Sequence, residues 1–255
     1  MIWTGDENCG VIVTVRSRKE LCDDIAGRLR ARLGFALATL NLDHVVKLGR
    51  DSAFAAAYQA QTHVTADGNP IVWLSRLAGQ HVELVPGSEL IGPVAQIAVN
   101  SGAPVGLFGS DPDTLAVTAT ELRRRHSGIE ISFQQSPPMG FDPTSPAADA
   151  AIAAIGASGA RVIFLALGAP RQEIFAARAF EALPHVGFLS IGAGLDFIAK
   201  TQVRAPRWVR FFAAEWLWRL LRNPRRLAGR YAACLRILPG FTHRALKTRW
   251  YREVE

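Results

Sequence analysis

Apolar runs alternate with segments of helical spacing along most of the chain. Residues 11–15 are a β-branched run, and residues 19–33 repeat apolar positions at helical spacing, with Gly34 placed to cap the C-terminus. Residues 35–41 form an apolar run expected as a buried strand, and residues 51–60 a helix. A short strand over 62–66 ends on the turn signal Asp67-Gly68, and Pro70 suits the first turn of a helix over 70–77. Residues 88–100 read as a helix, and 104–108 as a strand ending at Gly109-Ser110. Ser110 is placed to cap a helix from Pro112 to Arg125. A strand over 129–133, a proline-rich loop over 134–146, an alanine-rich helix over 147–157 and a strand over 162–167 follow. The loop Gly168-Ala169-Pro170 then leads into a helix over 171–183 and a strand over 186–191. Strands that are apolar throughout, each followed by a helix, predict an α/β fold. The expected architecture is a Rossmann-like parallel sheet covered by helices on both faces.

The pattern changes after residue 203. Residues 206–221 have helical spacing up to Pro224, and a second helix over 225–238 is expected to stop at Pro239-Gly240. Trp208, Phe211, Phe212, Trp218 and Leu221 form a bulky apolar set. Arg219, Arg222, Arg226 and Arg230 follow at i, i+3, i+7 and i+11, with Pro224 interrupting the register.

Charge sharpens this division. The formal net charge is +7, yet residues 204–255 hold 13 Lys/Arg against 3 Asp/Glu, a net of +10. The preceding residues hold 16 basic and 19 acidic groups, a net of −3, so a near-neutral body over 1–203 carries a basic, aromatic helical appendage over 204–255. An amphipathic basic helix rich in Trp and Phe suits an anionic membrane interface.

Composition removes other classes. At 49% hydrophobic residues the chain buries a full core and is not disordered as a whole. Cys9, Cys22 and Cys234 are too widely spaced for a disulfide framework or a zinc pattern. Asp6 and Glu7 stand where a signal peptide needs basic residues. The longest charge-free stretch, 90–110, contains Gly92, Pro93, Asn100, Gly102 and Pro104, which is unlike a membrane span. A soluble or peripheral chain is expected.

Ligands of an open parallel sheet bind beyond the C-terminal strand ends. Four loops there carry distinctive chemistry: Thr39-Leu40-Asn41, Asp67-Gly68, Gly168-Ala169-Pro170-Arg171-Gln172-Glu173, and Gly192-Ala193-Gly194-Leu195-Asp196 ahead of Arg204-Ala205-Pro206. Each also has a plain structural reading. Asp-Gly is a turn dipeptide, Asn41 is a helix cap, Glu173 complements a helix dipole, and glycines near 192 serve close packing. No dinucleotide fingerprint, Walker lysine motif, nucleophile elbow or paired-histidine metal motif is present.

Taken in order, a set of motifs resembles the WecG/TagA/CpsF family, glycosyltransferase family 26. The set is Thr39-x-Asn41, Asp67-Gly68, Leu107-Phe108-Gly109, Gly168-x-Pro170-x-Gln172-Glu173, Gly194-x-Asp196, Arg204-Ala205-Pro206, Glu215-Trp216-x-Trp218-Arg219-Leu220 and Asn223-Pro224-Arg225 with Arg230-Tyr231. The resemblance spans roughly 39–231 and implies a membrane-associated, inverting transferase that moves a sugar from a UDP-sugar to a polyprenyl-diphosphate-linked saccharide. It implies Asp67 as general base beside Thr39 and Asn41. Donor binding then falls to Gly168, Pro170, Gln172, Glu173, Gly194 and Asp196. It also implies an appendage that touches the membrane, with Trp216, Trp218, Arg219, Arg222, Arg226 and Arg230 among the residues facing diphosphate or lipid. The implied location is cytoplasmic, peripheral on the inner face of the cell membrane.

An inverting transfer needs a base for the acceptor hydroxyl and positive charge near the departing diphosphate. No metal and no other cofactor is expected, so Arg204, Arg207 or another tail arginine is the expected source of that charge. Lys200 stands where the family often has glycine. Asn69-Pro70-Ile71-Val72-Trp73 after Asp67-Gly68 is nearer to members that transfer glucose than to N-acetylmannosamine transferases. Donor sugar, acceptor glycan and any homo-oligomer stay open. The competing readings are a non-catalytic membrane adaptor and a nucleic-acid binder. The first leaves Asp67, Gln172 and Glu173 without a role, and the second needs a basic body as well as a basic tail.

Overall fold

The computed structural model describes Met1, Trp3 and residues 10–202 and 215–254. Six strands form one parallel sheet: β1 Phe35–Leu40, β2 His63–Ala66, β3 Val105–Gly109, β4 Ile131–Gln135, β5 Val162–Ala166 and β6 Gly187–Ser190. Their order is β2-β1-β6-β5-β3-β4. Helices α1 (Arg18–Arg30), α5 (Gly87–Asn100), α6 (Pro112–Arg125) and α9 (Gly194–Ala199) pack on one face. The other face is covered by α2 (Leu42–Leu48), α3 (Ser52–Gln59), α7 (Pro146–Ala157) and α8 (Arg171–Ala182), with α4 (Asn69–Leu77) at the β2 edge. Strand periodicity divides β1 between them. Phe35 and Leu37 enter the first core, and Ala38 and Leu40 the second, which is why an all-apolar strand is required. Both expectations, an α/β fold and a parallel sheet flanked by helices, hold.

Two further helices, α10 (Glu215–Arg222) and α11 (Pro224–Val254), form the C-terminal appendage. α11 packs over α2 and α4, so Cys234 and Ala245 share a core with Val45, Leu48, Ile71 and Leu74. Trp3 is buried and stacks on Phe241 with ring centroids 5.7 Å apart. The start of the chain, which carries no motif, therefore clasps its end. The expected boundary at 203/204 lies outside the described residues.

Three boundary expectations give way to local physics. Gly34 does not cap α1. Ala31 does, and Arg32 takes the left-handed conformation at φ 57°. Gly34 is required instead because a Cβ there would lie 2.2 Å from the main-chain oxygen of Val186. Ser110 is likewise not the cap of α6: Asp111 Oδ1 accepts the Thr114 amide, while Ser110 sits at φ 58° and turns its hydroxyl elsewhere. Finally, α11 runs straight through Pro239 and Gly240. A proline removes the hydrogen bond to the carbonyl four residues back, here Leu235. Leu235 and Pro239 are both exposed, so water can satisfy that carbonyl. Of the helix expected over 206–221, the part before Glu215 lies outside the described residues.

Candidate functional site

A parallel sheet sends every strand toward the same edge, and the distinctive loops collect there. Helices α2 and α8 leave β1 and β5 toward one face, whereas α9 and α6 leave β6 and β3 toward the other. Where neighbouring loops leave in opposite directions like this, an open α/β sheet has its ligand crevice, at the C-terminal strand ends.

Asp67 and Thr39 meet on the β1–β2 side of this crevice. The register pairs Thr39 with Thr65 and Leu40 with Ala66, so Asp67 is the first residue past the ladder. Its amide donates to Leu40 O at 2.7 Å, and Thr39 Oγ1 donates to Asp67 Oδ2 at 3.2 Å. Thr39 is buried and Asp67 half-buried. Gly68, at φ 125°, lets the chain turn directly into α4, a conformation that side chains rarely adopt. Asn41 is the N-cap of α2, its Oδ1 accepting the His44 amide at 3.0 Å.

Buried aromatic polar groups that the sequence did not single out fix Thr39. Tyr58 on α3 donates its hydroxyl to Thr39 O at 3.1 Å and lies 2.7 Å from His44 Nδ1. With the single phenolic proton on Thr39 O, Nδ1 of His44 is assigned as a donor. Burial lowers the His44 pKa to about 3, so the imidazole is neutral. Burial, and then the negative charges of Glu173 and Asp67, hold the Tyr58 hydroxyl well above its ordinary pKa. Tyr58 therefore stays protonated and keeps donating.

Gln172 and Glu173 open α8, and both are buried. Gln172 Oε1 accepts the Gly192 amide at 3.1 Å, tying the start of α8 to the loop after β6. Gln172 Nε2 donates to Glu173 Oε1 at 2.8 Å, and Glu173 Oε2 is buried without a hydrogen-bond partner. Burial raises the Glu173 pKa to about 7, against the hydrogen bond from Gln172 and the charge of Lys47. Gln172 Oε1, Gln172 Nε2 and Glu173 Oε1 are thus committed to contacts within the protein, and only Glu173 Oε2 is left over. Gly168 and Pro170 form the loop above them, where Gly168 O accepts the Gln172 amide at 3.1 Å. The peptide bond between Ala169 and Pro170 is cis.

On the β6–β3 side, Asp196 receives Ser110 Oγ at 2.8 Å and Gln202 Nε2 at 2.8 Å, one on each oxygen. Ser136 Oγ donates to Ser110 O at 2.7 Å, so Ser110 links the ends of β3, β4 and α9. Gly194 is buried, and a Cβ there would lie 2.7 Å from Ile91 Cδ1, which makes it a packing residue between α9 and α5.

The tail residues separate into three groups. Arg230 forms a two-pronged pair with Asp43 on α2, at 3.1 Å and 2.7 Å. Trp216 is 48% exposed and meets Tyr231 edge-on at 5.9 Å, while Trp218 is half-buried on α10. Arg204 and Arg207 lie outside the described residues, as do the side chains of Arg219, Arg222 and Arg226. Among the described residues no three His, Cys, Asp or Glu side chains gather to hold a metal ion. No helix among them is long and apolar enough to cross a membrane.

The family model described as "Glycosyl transferase WecG/TagA/CpsF family" matches residues 7–255, nearly the whole chain. The chain belongs to the WecG/TagA/CpsF family. Membership implies a glycosyltransferase of cell-surface polysaccharide synthesis, working with a sugar-nucleotide donor and a lipid-linked acceptor. The match also takes in most of the N-terminal segment, which carries none of these motifs. Of the WecG/TagA/CpsF motifs, those of the body converge on one sheet edge, and the tail helix α11 lies against the helices that frame it.

Proposed function

We propose that the protein is an inverting glycosyltransferase that moves a sugar from a UDP-sugar to a polyprenyl-diphosphate-linked saccharide, with Asp67 as general base. The observation that carries this reading is the half-buried Asp67 carboxylate at the sheet edge, with one oxygen fixed by Thr39. A carboxylate held in this way takes the proton of an acceptor hydroxyl as that oxygen attacks the anomeric carbon from the face opposite the departing UDP. The loops after β5 and β6 are the donor side, with Gly168, Pro170, Gln172, Glu173, Gly194 and Asp196 shaping it. Transfer is metal-independent in this reading, with tail arginines, Arg204 and Arg207 among them, neutralising the diphosphate.

The membrane role falls to α10 and α11. Leu235, Leu246 and Trp250 are 61%, 50% and 70% exposed. At 100° per residue they share one stripe of α11, well away from the stripe of Leu227, Cys234 and Ala245 that faces the body. Exposed Arg225, Arg236 and Lys247 lie beside it. An apolar stripe edged with cations suits an anionic, peripheral site on the cytoplasmic face of the membrane.

The test is turnover with a panel of UDP-sugars and a polyprenyl-diphosphate-linked acceptor, with and without EDTA, for wild type and Asp67→Asn. Expected is EDTA-resistant transfer from one UDP-sugar, falling by a factor on the order of 10² to 10⁴ in Asp67→Asn with its circular dichroism unchanged. Undiminished turnover in that variant overturns the base assignment. Failure of every UDP-sugar to react, with UDP unable to raise the melting temperature, overturns the donor class.

A further inference from the structure

We propose that Asp43 and Lys47 of α2 are positioning residues that couple the seating of α11 to the loop 168–170 on the donor side, an inference that rests on the transferase reading above. Asp43 and Lys47 are an i,i+4 pair at 2.9 Å. On an open surface such a pair contributes little. Here their side chains are only 15% and 34% exposed, and each has a second, distant partner. Asp43 takes both prongs of the Arg230 guanidinium from α11, and Lys47 Nζ donates to Ala169 O at 3.3 Å. Ala169 is the residue between Gly168 and Pro170, and it packs against the core that α11 helps to close. One unbroken chain of polar contacts therefore runs from α11 through α2 to the start of α8.

The carboxylate at its centre is shared, which makes the chain a coupling device. Burial alone would raise the Asp43 pKa, but hydrogen bonds from Arg230 and Lys47 outweigh it and hold the group ionised. With Arg230 seated, the carboxylate divides its charge between two cations, and the Lys47 ammonium reaches on to Ala169 O. Without Arg230 the whole charge acts on Lys47 and draws it back, leaving Ala169 O without its donor. The loop loosens, and with it the first turn of α8, whose Gln172 and Ile174 amides bond to Gly168 O and Pro170 O. The donor side is then fully ordered only while the appendage is seated.

Hydrogen exchange on the nucleotide-free full-length chain, followed by donor kinetics, tests this. Arg230→Ala and Lys47→Met should each speed exchange at Gln172 and Ile174, and raise KM for the donor roughly 2- to 30-fold with kcat much less affected. Lys47→Met should leave exchange along 227–245 unchanged, so an effect on the loop is then not a consequence of losing α11. In a Lys47→Met background, Arg230→Ala should add nothing further. Unchanged exchange in Lys47→Met, or additive effects in the double variant, overturns the coupling. Because exchange is read without nucleotide, a wild type that fails to bind UDP would sink the donor assignment and leave this result standing.

Discussion

Thr39 donates its hydroxyl to Oδ2 of Asp67 across 3.2 Å, joining the ends of two adjacent parallel strands. The contact is set by register: one residue of slip between β1 and β2 would turn Thr39 to the other face of the sheet. Replacing Thr39 with Val keeps the shape and removes the donor. A hydrogen bond to a charged carboxylate contributes about 1.5–3 kcal/mol, so kcat should fall roughly 10- to 150-fold with donor KM little changed. Equal turnover in Thr39→Val would show that Asp67 is oriented by other contacts.

Tyr58→Phe removes one buried hydroxyl and with it the bonds to Thr39 O and His44 Nδ1. Leaving buried polar groups unpaired costs about 1–3 kcal/mol. Calorimetry should show a melting temperature lower by roughly 3–10 °C. A loss of kcat beyond the stability effect is expected too, because Thr39 is held by that same bond.

Glu173 sets a pH dependence of stability whose sign follows from its buried site. Its folded pKa of about 7 lies above the ordinary 4.5, so the folded chain holds the proton more tightly than the unfolded chain. This contribution is complete below about pH 4.5 and is lost as pH rises through about 7. Glu173→Gln keeps an oxygen for Gln172 and does not titrate. The variant should gain stability over wild type between pH 5 and pH 8, by on the order of 2–3 kcal/mol. Urea midpoints at the two pH values measure it, and parallel curves for the two proteins would rule the shift out.

The exposed stripe of α11 gives the membrane prediction. Leu235→Ser, Leu246→Ser and Trp250→Ser together should lower partitioning to anionic liposomes about tenfold or more, since each side chain gives up its apolar transfer energy. The melting temperature should hold, because the body-facing Leu227, Cys234 and Ala245 are untouched. Undiminished partitioning would move the membrane contact off α11.

Some of the site was legible in the chain and some was not. Asp67-Gly68 could be placed at the end of β2 because a turn dipeptide closes a short strand pattern and a proline suited to a first helical turn stands two residues on. Thr39 and Gln172-Glu173 could be placed at strand and helix ends for similar local reasons. His44, Tyr58 and Lys47 gave no signal and Ser110 pointed only to a helix cap, since what makes each matter is a partner outside its own stretch of chain: Thr39 for Tyr58, Ala169 for Lys47 and Asp196 for Ser110. Pro239 does not stop the helix because it and Leu235, whose carbonyl loses its partner, are both exposed, a property of the surroundings and not of the proline.

By itself the sequence determined the alternation of buried strands and covering helices, and through it the edge at which the polar loops collect. A period-2 or period-3.6 pattern and a turn residue act over a few neighbours, so they are written locally. Tertiary structure decided the rest: that Glu173 is buried with an unsatisfied oxygen, that Arg230 is spent on Asp43, and that Trp3 closes over Phe241. These depend on which surfaces meet once the sheet is assembled, and burial and charge pairing are properties of that meeting rather than of any one stretch of chain.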